Sequence, residues 1–146
     1  MTDHSVQNGK PGREAVIRRL RDHGITPTQQ RVEIARVLFE RPQHLSAEQV
    51  LARVNARESL VSKATVYNTL GLFARKGLVR EIVVDPSKLF YDSNTAPHHH
   101  LFDMDSGQLR DVELGQVDIG PLPDLPEGAQ VQGVDVIIRV RQEASE

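Results

Sequence analysis

Three consecutive histidines, His98–His100, are the densest group of possible metal ligands in this chain of 146 residues. Successive side chains of a β-strand point to opposite faces, so His98 and His100 would share one face while His99 points to the other. Imidazole nitrogen binds zinc, iron, manganese at mixed sites, and haem iron. A surface run of histidines that binds nothing is the alternative interpretation. The spacing predicts a metal site to which His98 and His100 contribute together.

Two carboxylates and a fourth histidine extend this candidate site. Asp92 precedes His98 by six residues, and Asp111 lies on the strand that we expect to pair with the histidine strand. His44 lies in a loop immediately before a capped helix. Each of the three, taken alone, is better explained as a solvated loop or strand-end residue. Together they form a mixed nitrogen and oxygen set of the kind that borderline divalent metals accept.

The charge of the chain is divided unevenly along its length. Residues 1–92 contain 15 Lys and Arg against 10 Asp and Glu, a net +5, whereas residues 93–146 contain 3 against 10, a net −7. A basic first part suits a polyanion such as DNA, because phosphate neutralisation supplies much of the affinity. Ordinary surface variation is the alternative. We therefore predict two units with different partners, one at 1–92 and the other at 93–146.

The chain contains no cysteine, which excludes disulfides, thiolate-bound structural zinc and thiol nucleophiles. No apolar run approaches the ~20 residues that span a bilayer. Residues 1–12 are polar and lack the apolar core of a signal peptide, so we predict that they form a disordered arm. These features predict a cytoplasmic protein without a membrane partner.

A helical segment beginning at Ser62 carries the side chains best suited to reading DNA. Val66, Leu70 and Phe73 recur at helical spacing and predict its buried face. The opposite face offers short side chains, an aromatic ring and an amide for base edges in the major groove. A plain surface helix with a buried tyrosine is the alternative. The candidate base-contacting residues are Ser62, Lys63, Ala64, Thr65, Tyr67 and Asn68, and the further candidate DNA contacts are Arg31, Arg75, Lys76 and Arg80.

The elements before and after this segment indicate how it is held. Apolar periodicity predicts three earlier helices, and we expect the second to be capped by Thr26, with Gln29 completing a capping box. The three helices are predicted at Glu14–His23, Thr26–Phe39 and Ser46–Val54, and a strand pair is predicted at Leu78–Val84 and Leu89–Tyr91. Helices followed by a hairpin predict a winged helix whose last helix reads DNA.

The second part of the chain is expected to be small and rich in strands. A hairpin is predicted at Leu101–Val112, a proline-rich irregular stretch at Gly120–Gly128, and a long strand at Val131–Val140. About 50 residues with three strands cannot close a good core alone. We therefore expect this part to form a homodimer.

Three motifs occur in an order that resembles the ferric uptake regulator family: Ser46-Ala47-Glu48, Ala64-Thr65-Val66-Tyr67 and the histidine run. The resemblance covers about Glu14 to Arg141. It implies an α+β fold, with an N-terminal winged-helix DNA-binding domain followed by a small α/β dimerisation domain. Within the family the chain is most similar to the iron response regulators of alphaproteobacteria, which sense iron through haem. It would then be an iron-responsive transcription regulator and not an enzyme.

The resemblance also implies ligands and partners. The family's metal site between the domains maps onto His44, Asp92, His98, His100 and Asp111, with Mn²⁺, Fe²⁺ or Zn²⁺ as the metal. Haem is implied as a second cofactor, with His98, His99 and His100 as candidate axial ligands. The implied partners are a near-palindromic, AT-rich double-stranded DNA operator and a second copy of the chain.

Three alternatives follow from the same residues. A peroxide-sensing or other divalent-metal-sensing repressor of the same family would lack the haem response. A small metallohydrolase would need an open coordination position and a general base in a pocket, and no glutamate accompanies the histidines in a helical motif. A metal-buffering protein would not need the basic first part, so salt-dependent DNA binding would distinguish it from a regulator.

Overall fold

Within the described part of the chain, four α-helices form where the sequence places apolar residues at helical spacing. The computed structural model describes residues 11–143, and the chain divides into two compact units, Met1–Thr95 and Ala96–Glu146. Residues 1–10 of the predicted N-terminal arm lie outside the described residues. The helices are α1 (Arg13–Asp22), α2 (Gln29–Leu38), α3 (Ala47–Val54) and α4 (Lys63–Arg75). At 13 residues α4 is the longest, and no described helix has the length and apolarity needed to cross a membrane.

The start of α2 differs from the prediction. The predicted cap at Thr26 with Gln29 is wrong, because Thr28 has the extended backbone of a cap and its hydroxyl accepts the N–H of Arg31 at 3.1 Å. Thr28 supplies the same hydroxyl two residues nearer to Val32, the first buried residue of the helix. The carbonyl of Thr26 instead accepts a hydrogen bond from the Arg31 guanidinium at 2.8 Å.

Two further caps lie at the predicted starts of the third and fourth helices, Ser46 and Ser62. Ser46 and Gln49 form a reciprocal capping box at the start of α3, and Ser62 accepts the N–H of Thr65 at the start of α4. Each box or cap satisfies backbone donors that a helix leaves without an internal partner. These caps fix where α3 and α4 begin.

The core of the first unit lies between the helices. The predicted buried face of α4 is confirmed, because Val66, Leu70 and Phe73 are fully buried there. Leu20 of α1 and Ile34 of α2 are buried in the same apolar cluster. Burial of a large apolar side chain contributes roughly 1.5–3 kcal/mol, so this cluster holds α4 firmly in place.

A small antiparallel sheet completes the first unit. Its strands are β1 (His44–Leu45), β2 (Arg80–Asp85) and β3 (Lys88–Asp92), in the order β1-β3-β2. The loop predicted around His44 is therefore wrong at this residue. His44 pairs with Asp92 in the β1–β3 register because Gln43 and Ser93 exchange hydrogen bonds just beyond the strand ends.

The second unit contains a second three-stranded sheet. Its strands are β4 (His99–Asp103), β5 (Leu109–Val112) and β6 (Ile137–Val140), in the order β5-β4-β6. The predicted hairpin is confirmed, because β4 and β5 pair antiparallel. In its turn Asp103 accepts the N–H groups of Asp105 and Ser106, and Gly107 adopts a φ of 76° that favours glycine.

Two predictions for the second unit are wrong. The long strand expected at Val131–Val140 is only Ile137–Val140, because its parallel partner β4 offers a pairing edge only from His100 to Asp103. The expected α/β character is also wrong for residues 96–143, which contain three strands and one 3₁₀ turn at Leu114–Gln116 but no α-helix. Prolines at 121, 123 and 126 remove backbone donors where a helix would have to form.

Replacing the α2 cap tests its corrected position. We expect Thr28→Ala to lower the free energy of unfolding by about 1 kcal/mol, because the N–H of Arg31 loses its acceptor. Thr26→Ala is the matched control and should cost less than about 0.5 kcal/mol, because only its backbone carbonyl is used. Urea denaturation of the metal-free protein measures both changes, and a larger loss in Thr26→Ala would contradict the assignment.

Candidate metal centre

Strand pairing in the second unit brings two histidine rings to one carboxylate. His100 pairs with Asp111 in the β4–β5 register, and His98 lies one residue before β4 on the same side of the chain as His100. The Nε2 atoms of His98 and His100 lie 3.2 and 3.5 Å from the same Asp111 oxygen, Oδ1. The rings are 4.5 Å apart between centroids and inclined at 61°. The predicted grouping of these three side chains is thus present within this unit.

The hydrogen bonding of His98 defines what its second nitrogen can do. Nδ1 lies against the carbonyl oxygen of Ala96, and because a carbonyl only accepts, Nδ1 must carry a proton. In a neutral ring Nε2 then presents a lone pair toward Asp111. A metal cation placed between the nitrogen and the carboxylate oxygen would be attracted to both. A metal-binding imidazole usually donates its other ring N–H to a carbonyl or carboxylate, as His98 Nδ1 does here.

His99 faces away from this group, as the strand alternation predicts. Its Nδ1 accepts the backbone N–H of Val136 at 3.0 Å, which ties the start of β6 to β4. The neutral ring therefore carries its proton on Nε2, and in that tautomer neither nitrogen has a lone pair for a metal. The role that the structure gives His99 is a link between strands.

A second histidine–carboxylate pair lies in the first unit. His44 Nε2 is 3.7 Å from Asp92 Oδ2, and the two residues are opposite each other in the β1–β3 pairing. Asp92 is only 1% exposed, and its other oxygen accepts the N–H of Asn94 at 2.8 Å. Burial of a carboxylate is costly unless positive charge or donors face it. Asp92 Oδ2 and His44 Nε2 form one further potential pair of ligands.

The candidate DNA-reading residues lie on the solvent side of α4. Lys63, Ala64, Tyr67 and Asn68 are exposed, whereas Thr65 is half-buried. The hydroxyls of Ser62 and Thr65 are engaged in the cap, because Ser62 accepts the Thr65 N–H and donates to the Thr65 hydroxyl. At the other end Arg75 and Lys76 are exposed and Arg80 is half-buried. Arg31 lies apart on α2, half-buried, with its guanidinium bound to the Thr26 carbonyl.

One contact on this surface was not predicted from the sequence. The Tyr67 hydroxyl donates a hydrogen bond to Glu48 of α3, and the Lys63 ammonium lies 5.7 Å from the Tyr67 ring centroid. This hydrogen bond is the main cause that lowers the pKa of Glu48 and raises the pKa of Tyr67. The sequence offers no signal for it beyond an exposed acid and an exposed tyrosine on successive helices.

Comparison with known proteins agrees with the resemblance read from the sequence. The sequence profile of the Ferric uptake regulator family matches residues 22–128. The peroxide-responsive repressor PerR of Staphylococcus epidermidis is 31% identical over 105 residues, which are 72% of this chain and 70% of that protein. The ferric uptake regulation protein of Synechococcus elongatus is 41% identical over 86 residues, 56% of this chain and 58% of that protein.

A solved structure agrees with these sequence matches. The ferric uptake regulator of Pseudomonas aeruginosa, determined with manganese, is 25% identical and superimposes with a TM-score of 0.67 over 88% of this chain and 98% of that one. The mixed helix and strand content of the present chain, an α+β fold, matches it. The chain therefore belongs to the Ferric uptake regulator family, whose members are dimeric, DNA-binding, metal-responsive regulators and not enzymes.

Proposed function

We propose that this protein is an iron-responsive repressor in which a divalent metal controls affinity for operator DNA. The observation that carries the proposal is the convergence of the His98 and His100 nitrogens on one Asp111 oxygen. A bound divalent ion would place positive charge between the two imidazole nitrogens and the carboxylate oxygen. Because the partner is operator DNA, we propose a cytoplasmic location.

The same ion, we propose, is also bound by His44 and Asp92, so that five ligands from the two units share it. Support comes from the chain itself, because Asp92 and His98 are six residues apart and cannot be separated by more than about 20 Å. The donor set of three imidazoles and two carboxylates suits Fe²⁺, Mn²⁺ or Zn²⁺. A clamp of this kind would fix the angle between the units.

We assign residues 1–92 to a winged-helix DNA-binding domain and residues 93–146 to a dimerisation and metal-sensing domain. In the first domain α4 precedes the β2–β3 hairpin, which is the order of a recognition helix and its wing. In a dimer, two copies of α4 would address half-sites about one DNA turn apart on a near-palindromic, AT-rich operator. Lys63, Tyr67 and Asn68 are the proposed base contacts, and Arg75 and Lys76 the proposed phosphate contacts.

Haem is the proposed second input, because the sequence motifs resemble those of the iron response regulators. Haem iron would compete with the divalent metal for His98 and His100. The hydrogen bond from Val136 to His99 Nδ1 makes His99 the weakest of the three axial-ligand candidates. The competing proposal is a peroxide-responsive or other metal-responsive repressor without haem, and the similarity to the staphylococcal PerR favours it.

Removal of the shared carboxylate tests the metal site of the second unit. We expect Asp111→Asn to weaken Mn²⁺ binding at least 10-fold, because the charge facing both His98 and His100 is lost. Asp124→Asn removes an equal charge from an exposed loop and should bind Mn²⁺ like the wild type. Isothermal titration measures both variants, and equal affinities would contradict a metal site at Asp111.

A comparison of His44→Ala with His98→Ala tests whether one ion serves both units. We expect one Mn²⁺ per chain in the wild type, weaker binding in both variants, and loss of the metal-dependent gain in DNA affinity. A coupling of 1–3 kcal/mol corresponds to a gain of roughly 5- to 150-fold, measured by fluorescence anisotropy on a duplex selected by the wild type. His23→Ala, outside the candidate site, is the control. Wild-type Mn²⁺ binding by His44→Ala would show that the first unit contributes no ligand.

Haem titration distinguishes the two versions of the function. We expect added haem to give a shifted Soret band that is lost in a His98→Ala, His100→Ala double variant and largely kept in His99→Gln. We also expect haem to lower DNA affinity in the presence of Mn²⁺. A Soret band unchanged by the protein, in both oxidation states of the iron, would exclude the haem input and leave the metal-only repressor.

A further inference from the structure

Tyr67, on the exposed face of α4, is held in one orientation by a hydrogen bond. Tyr67 is 37% exposed, yet its hydroxyl donates a hydrogen bond to Glu48, which belongs to the neighbouring helix α3. A tyrosine has two rotatable side-chain bonds and would otherwise sample several orientations in solvent. The contact therefore fixes the direction of the ring before any ligand arrives.

Glu48 is itself held in place. It is the second residue of α3, between Ser46 and Gln49, which form the capping box. Anionic side chains are stabilised at a helix N-terminus by the helix dipole. The Tyr67 hydroxyl, the backbone N–H of Glu48 and the charge of Lys63 together hold the pKa of Glu48 below its ordinary value, against a smaller effect of burial. Glu48 is thus a fixed acceptor that stays ionised.

Lys63 is the third member of a group that it forms with Tyr67 and Glu48. It lies one helical turn before Tyr67, and its ammonium is 5.7 Å from the centre of the tyrosine ring. The ring therefore contacts a cation at its face and a carboxylate at its hydroxyl. A negative charge among the basic residues of this surface opposes DNA phosphates, so Glu48 lowers the purely electrostatic part of DNA affinity.

We propose that Glu48 is a positioning and specificity-determining residue, which orients Tyr67 for base contact and at the same time weakens binding to DNA of unrelated sequence. The inference rests on the proposed function, because it requires α4 to read DNA. It predicts opposite effects on two kinds of DNA. Loss of Glu48 removes an ordered base contact from the specific complex and removes a repulsive charge from every complex.

Full-length variants can be tested on two duplexes of equal length: one selected by the wild type from a randomised library with Mn²⁺, and one of unrelated sequence. We expect Glu48→Ala to weaken binding to the selected duplex about 10-fold and to strengthen binding to the unrelated duplex about 2-fold. Glu48→Gln should keep most of the specific affinity, because its amide oxygen still accepts the Tyr67 hydroxyl. Glu58→Ala, which removes an exposed charge from the α3–α4 loop, is the control.

Two further measurements show whether Glu48 acts through Tyr67. In a Tyr67→Phe background, Glu48→Ala should no longer reduce specific affinity. Alkaline absorbance titration, taken as the wild-type spectrum minus that of Tyr67→Phe, should give a Tyr67 pKa above the ordinary value, which Glu48→Ala lowers and Glu58→Ala leaves unchanged. Thermal melting of each variant confirms that the fold is intact.

The outcomes separate this inference from the function on which it rests. A wild type that prefers no duplex would overturn both. A wild type with clear preference, combined with a Glu48→Ala variant that binds both duplexes more tightly to the same extent, would overturn the inference alone and leave Glu48 as a simple repulsive charge. An unchanged Tyr67 titration in Glu48→Ala would overturn it as well.

Discussion

Two imidazole nitrogens directed at one carboxylate oxygen are the constraint on which the second unit depends. His98 Nε2 and His100 Nε2 both lie within 3.5 Å of Asp111 Oδ1, and in a neutral His98 the Nε2 lone pair faces that carboxylate oxygen. The β4–β5 register and the Nδ1–H of His98 on the Ala96 carbonyl hold the groups in this position. The strand pairing thus brings three potential metal ligands together in the second unit.

The second unit has little apolar core. Phe102 and Leu109 are its only buried apolar residues among those described, and the three histidines are the other buried residues there. Many other apolar side chains stay exposed, among them Leu122, Val131, Val134 and Ile138. The dimer typical of the family would bury more apolar surface, and a bound metal would add stability to a unit this small.

Elements with local signals were predictable from the sequence. Ser46 and Ser62 mark the starts of α3 and α4 because their hydroxyls sit three residues before the N–H they accept. The alternation that separates His99 from its neighbours follows from strand geometry alone. Choosing between Thr26 and Thr28 was not possible, because both offer a hydroxyl near Pro27. The length of β6 was also not predictable, because it is set by its partner strand and not by its own valines.

The hydrogen bond between Tyr67 and Glu48 shows the same limit at the candidate DNA surface. The side chains are 19 residues apart, and they meet only because the buried faces of α3 and α4 pack in one register. No local pattern records that register. Its consequence is chemical: the first unit is basic as a whole, yet it keeps a carboxylate beside Lys63 on its exposed helix face. Attraction to phosphate alone would strengthen binding to all DNA sequences equally. Glu48 weakens that attraction, but by orienting the Tyr67 ring it increases the selectivity for one sequence.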